Sequence, residues 1–183
     1  MSEQIRNVSP IGRVYFADVF EPRVFKEGDT PAWSITLLFP KKEFESKEDV
    51  GSLSAEIEQA IAAGFPKRPS NLFIPLRDGD EMDAGPYHGN WFAKFKTTLA
   101  APAVVDRAVL PISKESGAFY PGCWAKVSYA VGTFSVPGNK GVSLYLNHVQ
   151  KVADDDPLSF APSPTDVFDP VDDDVISSYV DCP

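Results

Sequence analysis

The chain predicts a mainly β fold: a small barrel of five or six strands, one helix after the second strand, and an acidic, disordered C-terminal tail. Three observations carry this expectation. Short segments of alternating apolar and polar residues recur through the first 152 residues. A single helical stripe interrupts them. Beyond Val152 all periodicity stops, and nine Asp and five Pro remain among small residues. The 183 residues suit one domain with appendages, and a 43% hydrophobic, 12% aromatic composition is enough to build a core.

Residues 11–20 read as the first strand, with Val14 and Phe16 on the inner face and Arg13 and Tyr15 on the outer. Residues 32–39 alternate cleanly: Trp33, Ile35, Leu37 and Phe39 share one face, Ser34 and Thr36 the other, and Pro40 ends the strand. The helix spans 52–63, with Ser54 as N-cap, an apolar stripe of Ile57, Ala60 and Ile61, and Gly64 as its stop. Residues 66–90, rich in Pro, Gly and Asp, read as an irregular connection. Strands follow at 91–98 and 104–110. A hairpin then joins 122–136 to 141–152 around Pro137-Gly138-Asn139-Lys140. The pattern fits a Greek-key barrel such as the OB-fold and leaves other β-barrels and α+β sheets open.

The formal charge of −9 is unevenly spread. All nine acids of the stretch from Ala153 onward, with no Lys or Arg beside them, account for it, so the body holds 17 acids against 17 bases. The boundaries expected are a domain over 1–152 and a tail over 153–183, the latter an interaction segment. The N-terminus has no apolar stretch, and the apolar runs are too short to span a bilayer, so a cytoplasmic location without membrane contact is expected. Cys123 and Cys182 give no disulfide framework, and with two His there is no zinc pattern. No cofactor is expected.

The outer strand faces pair bases with aromatics. Phe92, Lys94 and Lys96 alternate on one strand, Trp124 and Lys126 on the next, and Tyr145 and Lys151 on the last. Aromatic faces stack on unpaired bases while cations follow phosphates, so such a face suits a single strand of nucleic acid. The stacking candidates are Tyr15, Trp91, Phe92, Trp124 and Tyr145, with Trp91 opposite Phe92 by parity. The phosphate candidates are Arg13, Lys94, Lys96, Arg107, Lys126, Lys140 and Lys151. A sheet surface also carries aromatics and lysines for propensity and solubility, so a protein-interaction or structural module is the alternative. The cluster Asp78, Asp80, Glu81 and Asp83 admits a metal-dependent nuclease, although Gly79 and Pro75 read it as a solvated turn. No residues suggest a catalytic centre beyond it, and no phosphate-loop or dinucleotide motif is present.

The segments Phe119-Tyr120-Pro121-Gly122-Cys123-Trp124-Ala125-Lys126-Val127, Gly138-Asn139-Lys140-Gly141-Val142-Ser143 and Leu146-Asn147-His148-Val149-Gln150-Lys151-Val152 resemble the C-terminal block of a bacteriophage protein family. First catalogued as a domain of unknown function, it includes single-stranded DNA-binding proteins. Pro75 to Glu81, Trp91-Phe92-Ala93, Val104-Val105-Asp106, Phe20-Glu21-Pro22 and Leu38 to Lys41 fall where similar segments fall, so the resemblance covers Ile11 to Leu158. It implies an OB-fold, non-specific single-stranded DNA binding without enzymatic activity, and a role in phage replication or recombination. The tail is similar, more loosely, to the acidic tails of such proteins. Asp172, Asp173, Asp174, Ile176 and Tyr179 would recruit a DNA polymerase or helicase and compete with DNA, although Tyr179-Val180-Asp181-Cys182-Pro183 replaces the usual terminal aromatic.

Overall fold

The computed structural model describes residues 7–83, 85–158 and 167–175. Among the described residues there are eight strands: β1 (Asn7–Val8), β2 (Gly12–Arg23), β3 (Ala32–Pro40), β4 (Leu76–Asp78), β5 (Asn90–Thr97), β6 (Ala103–Val105), β7 (Trp124–Val136) and β8 (Asn139–Ala153). One helix, α1 (Gly51–Gly64), follows β3. Pairing runs β7-β2-β3-β5-β8 and closes back from β8 to β7. Five strands thus form a barrel of the OB type. All of its pairings are antiparallel except β5 with β8, where Lys96 aligns with Tyr145. Closure removes the free sheet edges that such long strands would otherwise expose.

The core follows from alternation. Ile35, Leu37 and Phe39 of β3, Ala93 and Phe95 of β5, Ala125, Val127 and Tyr129 of β7, and Val142, Leu144 and Leu146 of β8 are all buried in one cluster. Leu53, Ile57 and Ile61 of α1, spaced by four, add the helix to it. Burial of each such side chain stabilises by ~1.5–3 kcal/mol. The Tyr129 hydroxyl reaches Glu56 of α1, which ties the helix to the barrel wall.

Several expected details differ. The helix begins after Val50, which acts as N-cap, and Ser54 lies inside the first turn, buried, with its N–H bonded to the Val50 carbonyl. Gly64 is the last helical residue. The strand expected at 104–110 stops at Val105, because the Asp106 carboxylate accepts from the N–H groups of Ala108 and Leu110 and folds a turn there. The connection at 66–90 contains β4, which pairs with β5. In β2 the register shifts between Val14 and Ala17. The extra residue turns Phe16 out to 41% exposure, where strict alternation puts it in the core.

Residues 154–158, just after β8, lie on the body. The N–H of Leu158 bonds to the Pro121 carbonyl at 2.8 Å, and Leu158 packs on a second apolar cluster of Tyr15, Leu38 and Phe92. Ile176 and Tyr179 of the tail lie outside the described residues. Asp172, Asp173 and Asp174 are exposed. No helix among the described residues is long and apolar enough to cross a membrane.

Candidate nucleic-acid interface

Parity on β5 places Phe92, Lys94 and Lys96 outside the barrel, with Ala93 and Phe95 inside. The outer face of this strand forms the floor of a groove of about 400 Å³. Arg77 of β4, Phe73, Tyr145 of β8 and Phe134 of β7 line it, with the Phe73 and Phe134 rings 6.5 Å apart between centres. The long β7–β8 hairpin forms one wall, its end held to Phe73 by backbone bonds to Lys140 and Val142. Lys140 itself is exposed at that end.

Aromatics and cations interleave along the groove. The Arg77 guanidinium lies 5.6 Å from the Phe92 ring centre. The Lys94 ammonium sits 3.9 Å over Phe25, which reaches in from the β2–β3 loop. Tyr145 and Phe73 are 46% and 45% exposed, so part of each ring is accessible to a ligand. Gly132 makes room for the Tyr145 ring, since a Cβ there would stand 2.6 Å from Cε2. Arg23, Arg77, Lys94 and Lys96 form no ion pair among the described residues. Burial beside Phe25, and then the neighbouring positive charge of Lys96, push the Lys94 pKa below the ordinary lysine value, with Asp18 opposing and Arg23 adding to the effect. A bound anion would relieve that repulsion.

The groove brings together Phe92, Lys94, Lys96 and Tyr145 from the expected residues, with Lys140 at its rim. The others lie elsewhere. Trp91 packs against the main core, donates its indole N–H to the Phe44 carbonyl at 2.9 Å, and carries the Lys41 ammonium 4.4 Å over its ring. Lys126 and Arg107 border other hollows. Lys151 faces Ala118 and Asp154 rather than the outer sheet surface, because the register shift between Ser128 and Tyr129 admits Asn147 as an extra residue and reverses parity beyond it. Arg13, Tyr15 and Trp124 form a second group, described below. Sequence reasoning missed Phe73, Arg77 and Phe25. All three lie in connections or a short strand, where no alternation marks a face.

The acidic cluster has a structural role. Lys41 bonds both Asp78 and Asp80 at 2.6 Å, Asp78 accepts the Asp80 N–H, and Asp80 accepts the Gly89 N–H. The Lys41 bond, followed by the Asp80 amide, holds the Asp78 pKa below the usual carboxylate value. For Asp80 the Gly89 amide comes first and Lys41 second. Two of the four acids are thereby committed to closing the turn that supports β4 and β5.

A closed five-stranded barrel with an aromatic and basic groove across its β5–β8 seam places the chain among OB-type proteins. The chain belongs to the family of the single-stranded DNA-binding protein of Enterobacter phage Enc34, whose sequence profile it matches over residues 7–176. This is a family of non-enzymatic proteins. A protein named p50 from Acyrthosiphon pisum secondary endosymbiont phage 1 is 26% identical over 155 residues, 79% of this chain and 81% of that protein. The single-stranded DNA-binding protein of bacteriophage Enc34, solved in complex with single-stranded DNA, matches with a TM-score of 0.70 at 22% identity, over 83% of this chain and 88% of that one. The fold is also shared with gp2.5, a single-stranded DNA-binding protein encoded by bacteriophage T7, at a TM-score of 0.60 and 19% identity, over 91% and 94% of the chains.

Proposed function

We propose that this protein binds single-stranded DNA without base specificity along the groove over β5 and β8, and acts in phage DNA replication or recombination. The carrying observation is the interleaving of the exposed rings of Phe73 and Tyr145 with Arg77, Lys94 and Lys96, which form no ion pair among the described residues, on one concave face that the buried Phe92 floors. Rings stack on bases of any identity, and the cations neutralise phosphates and release counterions. A duplex hides its base faces, so the groove selects the single strand.

The excess negative charge lies in the C-terminal stretch, and the body is formally neutral. A tethered polyanion acts at high effective concentration, so the distal acids around Asp172, Asp173 and Asp174 compete with DNA for the groove. DNA displaces them, which leaves the tail available to a polymerase or helicase. The test is a titration of fluorescein-labelled oligo-dT at low and moderate salt with duplex as competitor. Salt-sensitive binding that duplex fails to displace is expected. Absence of binding at low salt would overturn the reading.

A further inference from the structure

Residues 154–158 cross the start of β7 and engage a second set of basic and aromatic groups. The Asp155 carboxylate accepts the Trp124 indole N–H at 2.8 Å. The Asp154 carboxylate accepts the Tyr120 hydroxyl at 2.8 Å and the Lys151 ammonium at 2.6 Å. Arg13 donates to the Asp156 carbonyl at 2.8 Å. Leu158 then packs on the cluster of Tyr15, Leu38 and Phe92. Gly122, with φ of 113°, lets the strap approach, since a Cβ there would stand 2.3 Å from the Asp156 oxygen.

Carboxylates and a carbonyl therefore occupy the donors of Arg13, Lys151, Tyr120 and Trp124, where phosphate oxygens would fit equally well. Their environment matches the anionic state. The Asp154 carboxyl is held below its ordinary pKa by Lys151 and then Tyr120, and Asp155 by Trp124 and then the Asp156 amide. Lys42 adds its positive field to that of Arg13. The patch is also continuous with the groove: Phe92 lines the groove and belongs to the cluster that Leu158 seals.

We infer that Arg13, Trp124, Tyr120 and Lys151 form a second single-strand subsite, masked by residues 154–158 and opened when a longer strand extends from the groove past Phe92. This rests on the groove reading above. The masking element is the anchored start of the acidic stretch, separate from the distal acids.

The test uses the full chain and oligo-dT of two lengths, roughly 5 and 16 nucleotides, which bracket the site sizes of a single barrel. Asp154→Ala with Asp155→Ala opens the strap. Asp172→Ala with Asp174→Ala removes the same charge from the distal tail. The strap variant is expected to gain affinity only for the long strand, by roughly 5- to 150-fold if one base stacks on Trp124. Its salt slope should also steepen by about 1.4 for the two added cations. The distal variant should shift both lengths alike. Gly122→Ala displaces the strap without changing charge and should reproduce the long-strand gain. Adding Arg13→Ala and Trp124→Ala to the strap variant should abolish the gain. Identical behaviour of the strap and distal variants at both lengths overturns the subsite while leaving the groove intact. Failure of the unaltered chain to bind either length, or equal binding by Lys94→Ala with Lys96→Ala, overturns the groove and the subsite together.

Discussion

Replacing Lys94 and Lys96 with Ala tests the groove most directly. Arg77, Lys94 and Lys96 line it, Arg23 adds its positive field to Lys94, and none of the four forms an ion pair among the described residues. Each phosphate neutralised on a single strand contributes about 0.7 to the slope of log affinity against log salt, so four predict a slope of about −3. Between 50 and 200 mM salt the affinity of the unaltered protein should fall roughly 50-fold, and that of the double variant only about 7-fold. Both side chains are exposed and Lys94 is under mutual repulsion, so stability should change by no more than ~0.5 kcal/mol. Fluorescence anisotropy of labelled oligo-dT across a salt series reads the slope, and thermal melting controls for folding. A folded double variant with the original slope would refute the reasoning, because the phosphates would then lie on other cations.

Tyr145→Ala should weaken binding by ~1–3 kcal/mol and leave the salt slope unchanged, since a stacking face is lost and no charge; the same anisotropy series checks both quantities. Ile35→Ala, at a fully buried barrel position, should cost ~2–5 kcal/mol in urea unfolding, well beyond any surface change. The pKa values of Asp78 and Asp80 are depressed in the folded state, so their contribution is present above the ordinary carboxylate value of 3.8 and is lost as pH falls through the depressed folded values. Lys41→Met should therefore lower the melting temperature at neutral pH and narrow its difference from the unaltered protein in acid. An unchanged difference at pH 2 would place the stabilising partner elsewhere.

The barrel was legible because its long strands obey a simple period. Ile35, Leu37 and Phe39, or Val142, Leu144 and Leu146, bury every second residue, and the alternation in sequence is the alternation in space. The failures fall where one residue breaks that period. The irregularity after Val14 exposes Phe16, and the one at Asn147 carries Lys151 away from the surface. Neither break has a local signature, because both are fixed by what the partner strand needs opposite them. The strand expected at 104–110 failed for a different reason. The Asp106 side chain offers the backbone a competing set of bonds, and these hold Val109 at a φ of 64°, which apolar content alone does not foretell.

The groove was only half legible, for a topological reason. A groove across a strand seam is lined by residues distant in sequence, and only those on regular strands announce their direction. Phe92, Lys94 and Lys96 did so. Phe73 joins the groove through its bridge to Gly141, and Arg77 through the pairing of β4 with β5, both long-range contacts that no local pattern encodes. Of the remaining candidates, Arg13, Trp124 and Lys151 lie away from the groove, with donors that the chain itself has filled. Composition identifies groups able to hold a polyanion, and structure shows which are vacant. The acids that give the chain its negative charge begin on Arg13, Trp124 and Lys151, groups whose donors could hold a polyanion, so the charge asymmetry read from the sequence and the occupied donors seen in the structure are two views of one arrangement.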